Sequence, residues 1–388
     1  MALLEYFEFQ TRTKIIFGGG TLSEVGKEAA RLGGRKVFIV AGSTARRLGM
    51  LKRIEESLKT EGIKVVGTLE GIPPNSDIEI VEKGYQSAKS SGADLLLTIG
   101  GGSPIDTAKG MNILLTEGGN LLEDHQGTYL LERPLKPLIA IPTTAGTGSE
   151  ATFAAVIRDN QQKLKLSFIS PYLAPDVAIL DPELTLSMPP KLAASTGMDA
   201  LCHAIESIHS LQNEPIADGL ALHAIKLISQ NLKEATKNSK NTEARSNMLI
   251  ASNIAGLAFS NALVGAVHAM AHACGGLCEV PHGIANAILL PYGMEYNLDY
   301  CPDRYALAAK AWGLETKGLS DKSAAKAVIE AIKSLTKELG LPQKLSEVGV
   351  KEENIGKLAE DAISDGSIYN NPREATEEEI AEVLRKAL

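Results

Sequence analysis

Apolar and polar positions alternate in short blocks along the first half of the chain. The runs "KVFIVAG" (36–42), "IKVVGTLEG" (63–71), "DLLLTIGGGS" (94–103) and "PLIAIPTT" (137–144) are short, apolar and bounded by glycine, proline or polar clusters, the form of buried strands. "FAAVIRD" (153–159) and "VAILDPEL" (177–184) read as strands as well. Between them, the segment reaching about Thr60, the run "DIEIVEKGYQSAKSSG" (77–92) and residues 104–116 carry apolar residues at helical spacing. Strands alternating with helices predict βαβ units, hence a parallel sheet with helices on both faces.

The pattern changes at "DPELTLSMPP" (181–190). Beyond those prolines no strand is predicted. "PPKLAASTGMDALCHAIESIHS", "PIADGLALHAIKLISQNLKEAT" and "TEARSNMLIASNIAGLAFSNALVGAVHAMAHA" keep three- and four-residue apolar spacing over long spans. The tail from Ser320 to Leu388 is also helical in pattern, with acidic starts and basic ends. The expected organisation is an α/β domain over 1–186 and an all-helical domain over 187–388.

Composition narrows the function classes. A chain of 388 residues exceeds one ordinary core, and 44% apolar with 22% charged residues is a globular balance. A formal charge of −8 argues against a phosphate-backbone binder and for small-molecule partners. Glu5 and Glu8 interrupt the N-terminus where a secretion signal would be apolar, and no apolar run approaches the roughly 20 residues of a spanning helix. The cysteines Cys202, Cys274, Cys278 and Cys301 form no C-x-x-C pair. A reducing cytoplasm is the expected location, with neither nucleic acid nor membrane as partner.

Two loops carry candidate nucleotide chemistry. In "LLLTIGGGSPIDTAKGMNILL", Gly100, Gly101, Gly102 and Ser103 link a strand to a helix with Pro104 in its first turn. Glycines let backbone approach a ligand closely, and the N–H groups at a helix start attract a pyrophosphate. The spacing is not G-x-G-x-x-G, and three glycines also make an ordinary tight turn. "IPTTAGTGSE" (141–150) is a second small-residue loop after a strand, and two such loops at strand ends suggest a nucleotide crevice.

"GAVHAMAHACGGLCEVPHG" (265–283) holds three of the chain's seven histidines, His268, His272 and His282. Asp199 and His203 are four apart in "TGMDALCHAIE", on one inward face of a helix, where a charged aspartate needs a partner. His268 and His272 repeat the spacing. Gly275, Gly276 and Pro281 then end that helix, and such a break can bring His282 back beside His268. One carboxylate and three imidazoles suit a divalent first-row metal, chiefly Fe²⁺ or Zn²⁺. H-x-x-x-H alone is common among hydrogen-bonded core histidines; its combination with D-x-x-x-H downstream of a nucleotide domain is much more specific. His125, His209 and His223 have no comparable setting.

With these motifs in order, together with "FGGGTLSEVG", "LAPDVAILDPELTLSMPP" and "VPHGIANAILLPYGMEYN", the chain resembles the iron-containing alcohol dehydrogenase family (group III), nearly end to end. The resemblance implies an N-terminal α/β nucleotide-binding domain with a parallel sheet and an all-helical metal-binding, catalytic domain, the dehydroquinate synthase-like fold, with the active site in the cleft between them. It implies Asp199, His203, His268 and His282 as metal ligands and His272 as the residue beside the nicotinamide that relays the proton. It implies cofactor contacts at Gly100 to Ser103, Asp106, Thr143, Thr144, Thr147 and Ser149, with Asn75 and Lys165 on the adenosine and ribose side. The segment "YFEFQTRTKIIFG" resembles the family's dimerising strand region, so a homodimer or higher homo-oligomer is expected.

Two departures bear on specificity. Many NAD-preferring members carry an aspartate where this chain has Gly42, so a 2′-phosphate would meet no carboxylate there, and Ser43, Arg46 or Arg47 would be available to bind it. This favours NADP over NAD, unless Gly42 merely ends its strand. Where members often read H-P-L-G, this chain reads His272-Ala273-Cys274-Gly275, which sets Cys274 near the expected site as either a thiol in the chemistry or a small buried filler.

The chemistry these parts imply is hydride transfer between NAD(P) and a small aliphatic alcohol or aldehyde, a metal polarising the substrate oxygen and His272 passing the proton. The alternatives are a zinc-dependent polyol dehydrogenase of the same fold, a metal-dependent hydrolase that binds no nicotinamide, and a non-catalytic metal-binding scaffold.

Overall fold

The computed structural model describes residues 6–388. Glu5, one of the two acidic residues weighed in the N-terminal reading, lies outside them. Contacts divide the chain into two units.

The α/β unit spans 11–144 and 148–186. Its strands are β1 (Lys14–Phe17), β2 (Lys36–Gly42), β3 (Lys64–Ile72), β4 (Leu95–Gly100), β5 (Gly127–Thr128), β6 (Leu138–Pro142), β7 (Ala154–Asp159), β8 (Leu164–Ile169) and β9 (Val177–Leu180). Its helices are α1 (Val25–Arg31), α2 (Met50–Thr60), α3 (Ile78–Ser91), α4 (Gly102–Thr116) and α5 (Leu121–His125). Six strands form one sheet in the order β1-β9-β6-β4-β2-β3, every pairing parallel.

Side-chain alternation accounts for the two covered faces. Val37, Ile39, Ala41, Leu95, Leu97, Ile99, Ile139 and Ile141 join one cluster, which includes Leu51, Ile54 and Leu58 of α2. Phe38, Val40, Leu96 and Leu138 join the other, with Val81 of α3 and Ala108 and Met111 of α4.

The sequence expectation needs correcting at β7. This strand does not extend the parallel sheet; it pairs antiparallel with β8, and β5 completes a separate three-stranded sheet. The alternation of buried and half-buried positions along β7 suits a strand with one face on the core.

The helical unit comprises the described residues through Gln10, Ala145–Thr147 and Ser187–Leu388. Its helices are α6 (Pro190–His209), α7 (Pro215–Lys237), α8 (Thr242–Ala262), α9 (Ala266–Leu277), α10 (His282–Asn297), α11 (Pro302–Trp312), α12 (Asp321–Glu338), α13 (Ile355–Ser364) and α14 (Glu377–Ala387). The division at Ser187 falls where the strand pattern ends, but two short segments count with the helices rather than with 1–186. Gln10 exchanges backbone hydrogen bonds of 2.7 and 3.1 Å with the Asn261 amide. Gly146 lies so close to Thr196 that a Cβ there would come within 2.6 Å of it.

From Ala193 onward α6 is buried on every side apart from Thr196, the signature of a bundle's central helix. The periodic run from Thr242 through His272 is not one helix. It bends by 105° between α8 and α9, with Leu263 at φ 62° in the break. The new start at α9 is capped from a distance, because Glu206 Oε1 accepts the N–H groups of Gly265 (3.1 Å) and Val267 (2.9 Å). Gly275 and Gly276, read as helix breakers, instead lie inside α9, which ends at Leu277. Among the described residues no single helix is long and apolar enough to cross a membrane.

Candidate metal centre and nucleotide turn

Three helices of the helical unit deliver the four residues of the expected ligand set. Asp199 and His203 stand one turn apart on α6, His268 lies in the first turn of α9, and His282 is the first residue of α10. One donor atom from each lies within 4.8 Å of all the others. His282 Nε2 is 3.5 Å from Asp199 Oδ1, and the His203 and His268 rings stack at 4.6 Å. Asp199, His203 and His268 are buried, while His282 is half-buried.

The start of α10 reaches this cluster because Gly283 has no side chain. A Cβ there would sit 2.4 Å from the Ser195 carbonyl oxygen, so only glycine lets α10 approach the α6 backbone this closely.

Burial pulls the His203 imidazole down to about 4, against the pull of Asp199, which keeps it neutral and able to act as a ligand. His268 moves the other way: burial would lower it, but the Glu206 carboxylate and, further off, Asp199 raise it.

Glu206 and Asn286 were not among the residues singled out from sequence, and both complete the cluster. Glu206 is fully buried and accepts a hydrogen bond from His268 Nδ1, which leaves Nε2 as the nitrogen with the lone pair. Asn286 donates from Nδ2 to Asp199 Oδ1 at 2.6 Å. Helical spacing was the available signal. Glu206 is one turn past His203 on α6, and Asn286 is one turn past His282 on α10.

His272 sits beside the cluster without joining the four. Its ring stacks on His282 at 5.3 Å, and its Nδ1 hydrogen-bonds Asp365 Oδ2 at 2.8 Å. Asp365, also missed from sequence, is held at about 2: burial would raise it, but His272 and the Ser367 backbone N–H outweigh that. Cys274 is buried, and burial pushes its thiol up to about 12, which opposes a thiolate there. His209 is buried against Tyr305, whose hydroxyl lies 2.8 Å from its Nδ1.

The expected cofactor residues of the α/β unit gather at the carboxyl end of β4. Gly100 adopts φ +154°, and a Cβ there would meet Pro104 at 2.6 Å. Its carbonyl accepts the Thr143 N–H at 2.8 Å, tying the second loop to the first. A Cβ on Gly101 would meet the Thr144 side chain, and one on Gly42 would touch Pro104 and Gly100. The Asn75 N–H donates to Ser103 Oγ at 3.1 Å, with Asn75 itself at φ 59°.

Asp106 is engaged within the protein. It accepts from Ser149 Oγ (2.6 Å) and the Val156 N–H (3.2 Å), and burial raises its pKa. These bonds make Asp106 and Ser149 a brace between α4 and the second loop. Lys109, which sequence reasoning passed over, does similar work. It is fully buried, donates to the carbonyls of Thr152 and Ala154, and is pulled down to about 8 by burial. Lys165 lies on β8, Ser43 follows β2 at the surface, and Thr147 belongs to the helical unit. Arg46 pairs through Nε and Nη2 of its guanidinium with Glu70 of β3, at 2.7 and 2.6 Å.

Comparison with known proteins identifies the class and then the family. The model described as "Iron-containing alcohol dehydrogenase" matches residues 12–182, and that described as "Fe-containing alcohol dehydrogenase family, C-terminal" matches residues 193–388. The 1,3-propanediol dehydrogenase of Citrobacter freundii is 41% identical over 98% of both chains. The NAD-dependent methanol dehydrogenase of Bacillus methanolicus is 38% identical over 96% of this chain and 97% of its own. A crystal structure of 1,3-propanediol oxidoreductase superposes with a TM-score of 0.95 at 40% identity, covering 99% of this chain and 100% of that one. These matches define an oxidoreductase that transfers a hydride between a nicotinamide cofactor and an alcohol or aldehyde. The chain belongs to the iron-containing alcohol dehydrogenase family.

Proposed function

We propose that the substrates are small aliphatic alcohols and their aldehydes, and that Asp199, His203, His268 and His282 hold one Fe²⁺. The observation that carries this reading is the convergence of four donor atoms from three helices within 4.8 Å. The donor set fits the group: one carboxylate and three imidazoles suit a divalent first-row metal, and buried Asp199 gains the opposite charge that burial demands. When bound, the metal supplies a Lewis acid that lowers the pKa of the alcohol oxygen. Zn²⁺ is the competing occupant, and the same donors would accept it.

The chain's own residues do the rest. Glu206 fixes the ring of His268 so that Nε2 faces its task. Asp365 accepts from His272 Nδ1 and leaves Nε2 as the basic nitrogen, the arrangement required of a group that takes a proton and passes it on. In the α/β unit, Gly100, Gly101, Gly102 and Ser103 present the N-terminal N–H groups of α4 to the cofactor pyrophosphate. Thr143 and Thr144 flank that turn. The activities named for two relatives, on 1,3-propanediol and methanol, support short substrates.

Cofactor choice turns on Arg46 and Glu70. The lean toward NADP relied on Arg46, but Arg46 is already paired, and its partner Glu70 is the register neighbour of Ala41 beside Gly42. A carboxylate there opposes a 2′-phosphate and suits a ribose hydroxyl, so NAD is the proposed cofactor. Ile15 and Phe17, exposed on edge strand β1, support a homo-oligomer.

His268→Ala tests the metal assignment. The variant should lose bound metal and alcohol oxidation together, read by metal analysis and NADH absorbance. A variant that turns over without metal would remove His268 from the ligand set.

A further inference from the structure

The four-donor site just proposed is the basis of this inference. Asn286 is fully buried one turn beyond His282. Its Nδ2 lies 2.6 Å from Asp199 Oδ1, 3.2 Å from His282 Nε2 and 3.3 Å from His268 Nε2. An amide nitrogen carries two hydrogens and no lone pair, so it cannot serve all three acceptors. Its own Oδ1, meanwhile, is buried with no hydrogen-bond partner. Three lone-pair atoms facing one position are what a cation organises, and an N–H directed at that position competes with it.

Nitrogen and oxygen of an amide exchange places by a half-turn with almost no change in shape. With nitrogen inward, the group satisfies Asp199. With oxygen inward, Oδ1 would face a carboxylate oxygen and two imidazole lone pairs, an assembly of acceptors that only a positive charge stabilises. We propose that Asn286 is a fifth protein donor, turning Oδ1 toward the cation when Asp199, His203, His268 and His282 hold one. A fifth donor would also favour a metal that accepts more than the four ligands usual for zinc, and so bear on iron against zinc.

Co²⁺-substituted protein reads this directly, because four-coordinate Co²⁺ absorbs visible light more strongly than five-coordinate Co²⁺. Asn286→Leu, close in size and unable to coordinate, should intensify the visible bands and release Co²⁺ to a chelator at least about tenfold faster. Asn286→Asp presents an oxygen in either orientation and should keep the wild-type bands and slow release. If the wild-type protein takes up no Co²⁺, the four-donor reading itself fails. If it takes up one ion per chain and the leucine variant matches it in spectrum and release rate, Asn286 is not a donor. Should the leucine variant not fold, absolute band strength decides: five-coordinate strength in both the wild type and the aspartate variant supports the proposal, and four-coordinate strength in the wild type overturns it.

Discussion

Asp365 lies 93 positions beyond His272, yet the two share a 2.8 Å hydrogen bond. Its carboxyl is held at about 2 against an ordinary 3.8, so its folded-state pKa is depressed. A depressed carboxyl stabilises the fold fully above its unfolded value, and that stability is lost as pH falls through the folded value. Asp365→Asn should therefore weaken the protein at neutral pH and flatten the loss of stability between pH 3.8 and about 2, measured by acid unfolding. It should also lower kcat by about 10- to 100-fold, as loss of an orienting carboxylate does. Unchanged kcat would remove the dyad from the proton path. Sequence gave no route to this partner, because nothing local links position 365 to 272. Asp199 and His203 stood out by their helical spacing and His268 and His282 by the local concentration of histidines, whereas Glu206 and Asn286 carried the same helical spacing without a second histidine to mark them.

Helices and strands were read best where one periodicity held without interruption. β2, β3, β4, α3 and α4 stand close to their expected bounds, because each keeps one pattern, a short strand run or an unbroken helical spacing, between turn residues. The break between α8 and α9 was not legible, because its cap comes from Glu206, far off in sequence. Pairing of β7 with β8 was equally hidden, since local pattern marks a strand but not its neighbour. The approach of α10 to α6 rests on Gly283. Gly283→Val should displace the start of α10 with His282, destabilise the fold by an overpacking cost of about 1–3 kcal/mol, seen as a lower melting temperature, and weaken metal retention. Gly356→Ala in α13, where a Cβ would meet nothing within 4 Å, is the matched control and should do neither. Equal effects from both would show that the close approach is unimportant.

At the scale of the whole molecule, each unit carries one part of the chemistry. The α/β unit carries the glycine turn at the start of α4, and in the proposed reading cofactor selectivity rests on groups around the end of β2 rather than on the glycines. Glu70→Gln should release Arg46 for a 2′-phosphate and shift the kcat/KM ratio toward NADP by about tenfold, roughly 1.4 kcal/mol. An unchanged ratio would place cofactor choice elsewhere. Fold class and family were legible in the sequence because ordered motifs span nearly the full length. The Arg46–Glu70 pair, on which the proposed cofactor choice rests, was not, since a strand register creates it.

The helical unit supplies the donors, and the account depends on their holding one cation. Anomalous diffraction from crystals of the iron-reconstituted protein, collected on both sides of the iron edge, tests this most directly. The account predicts one peak per chain, within about 2.0–2.2 Å of a carboxylate oxygen of Asp199 and a ring nitrogen each of His203, His268 and His282. No peak there, or a peak bound by other residues, would contradict it.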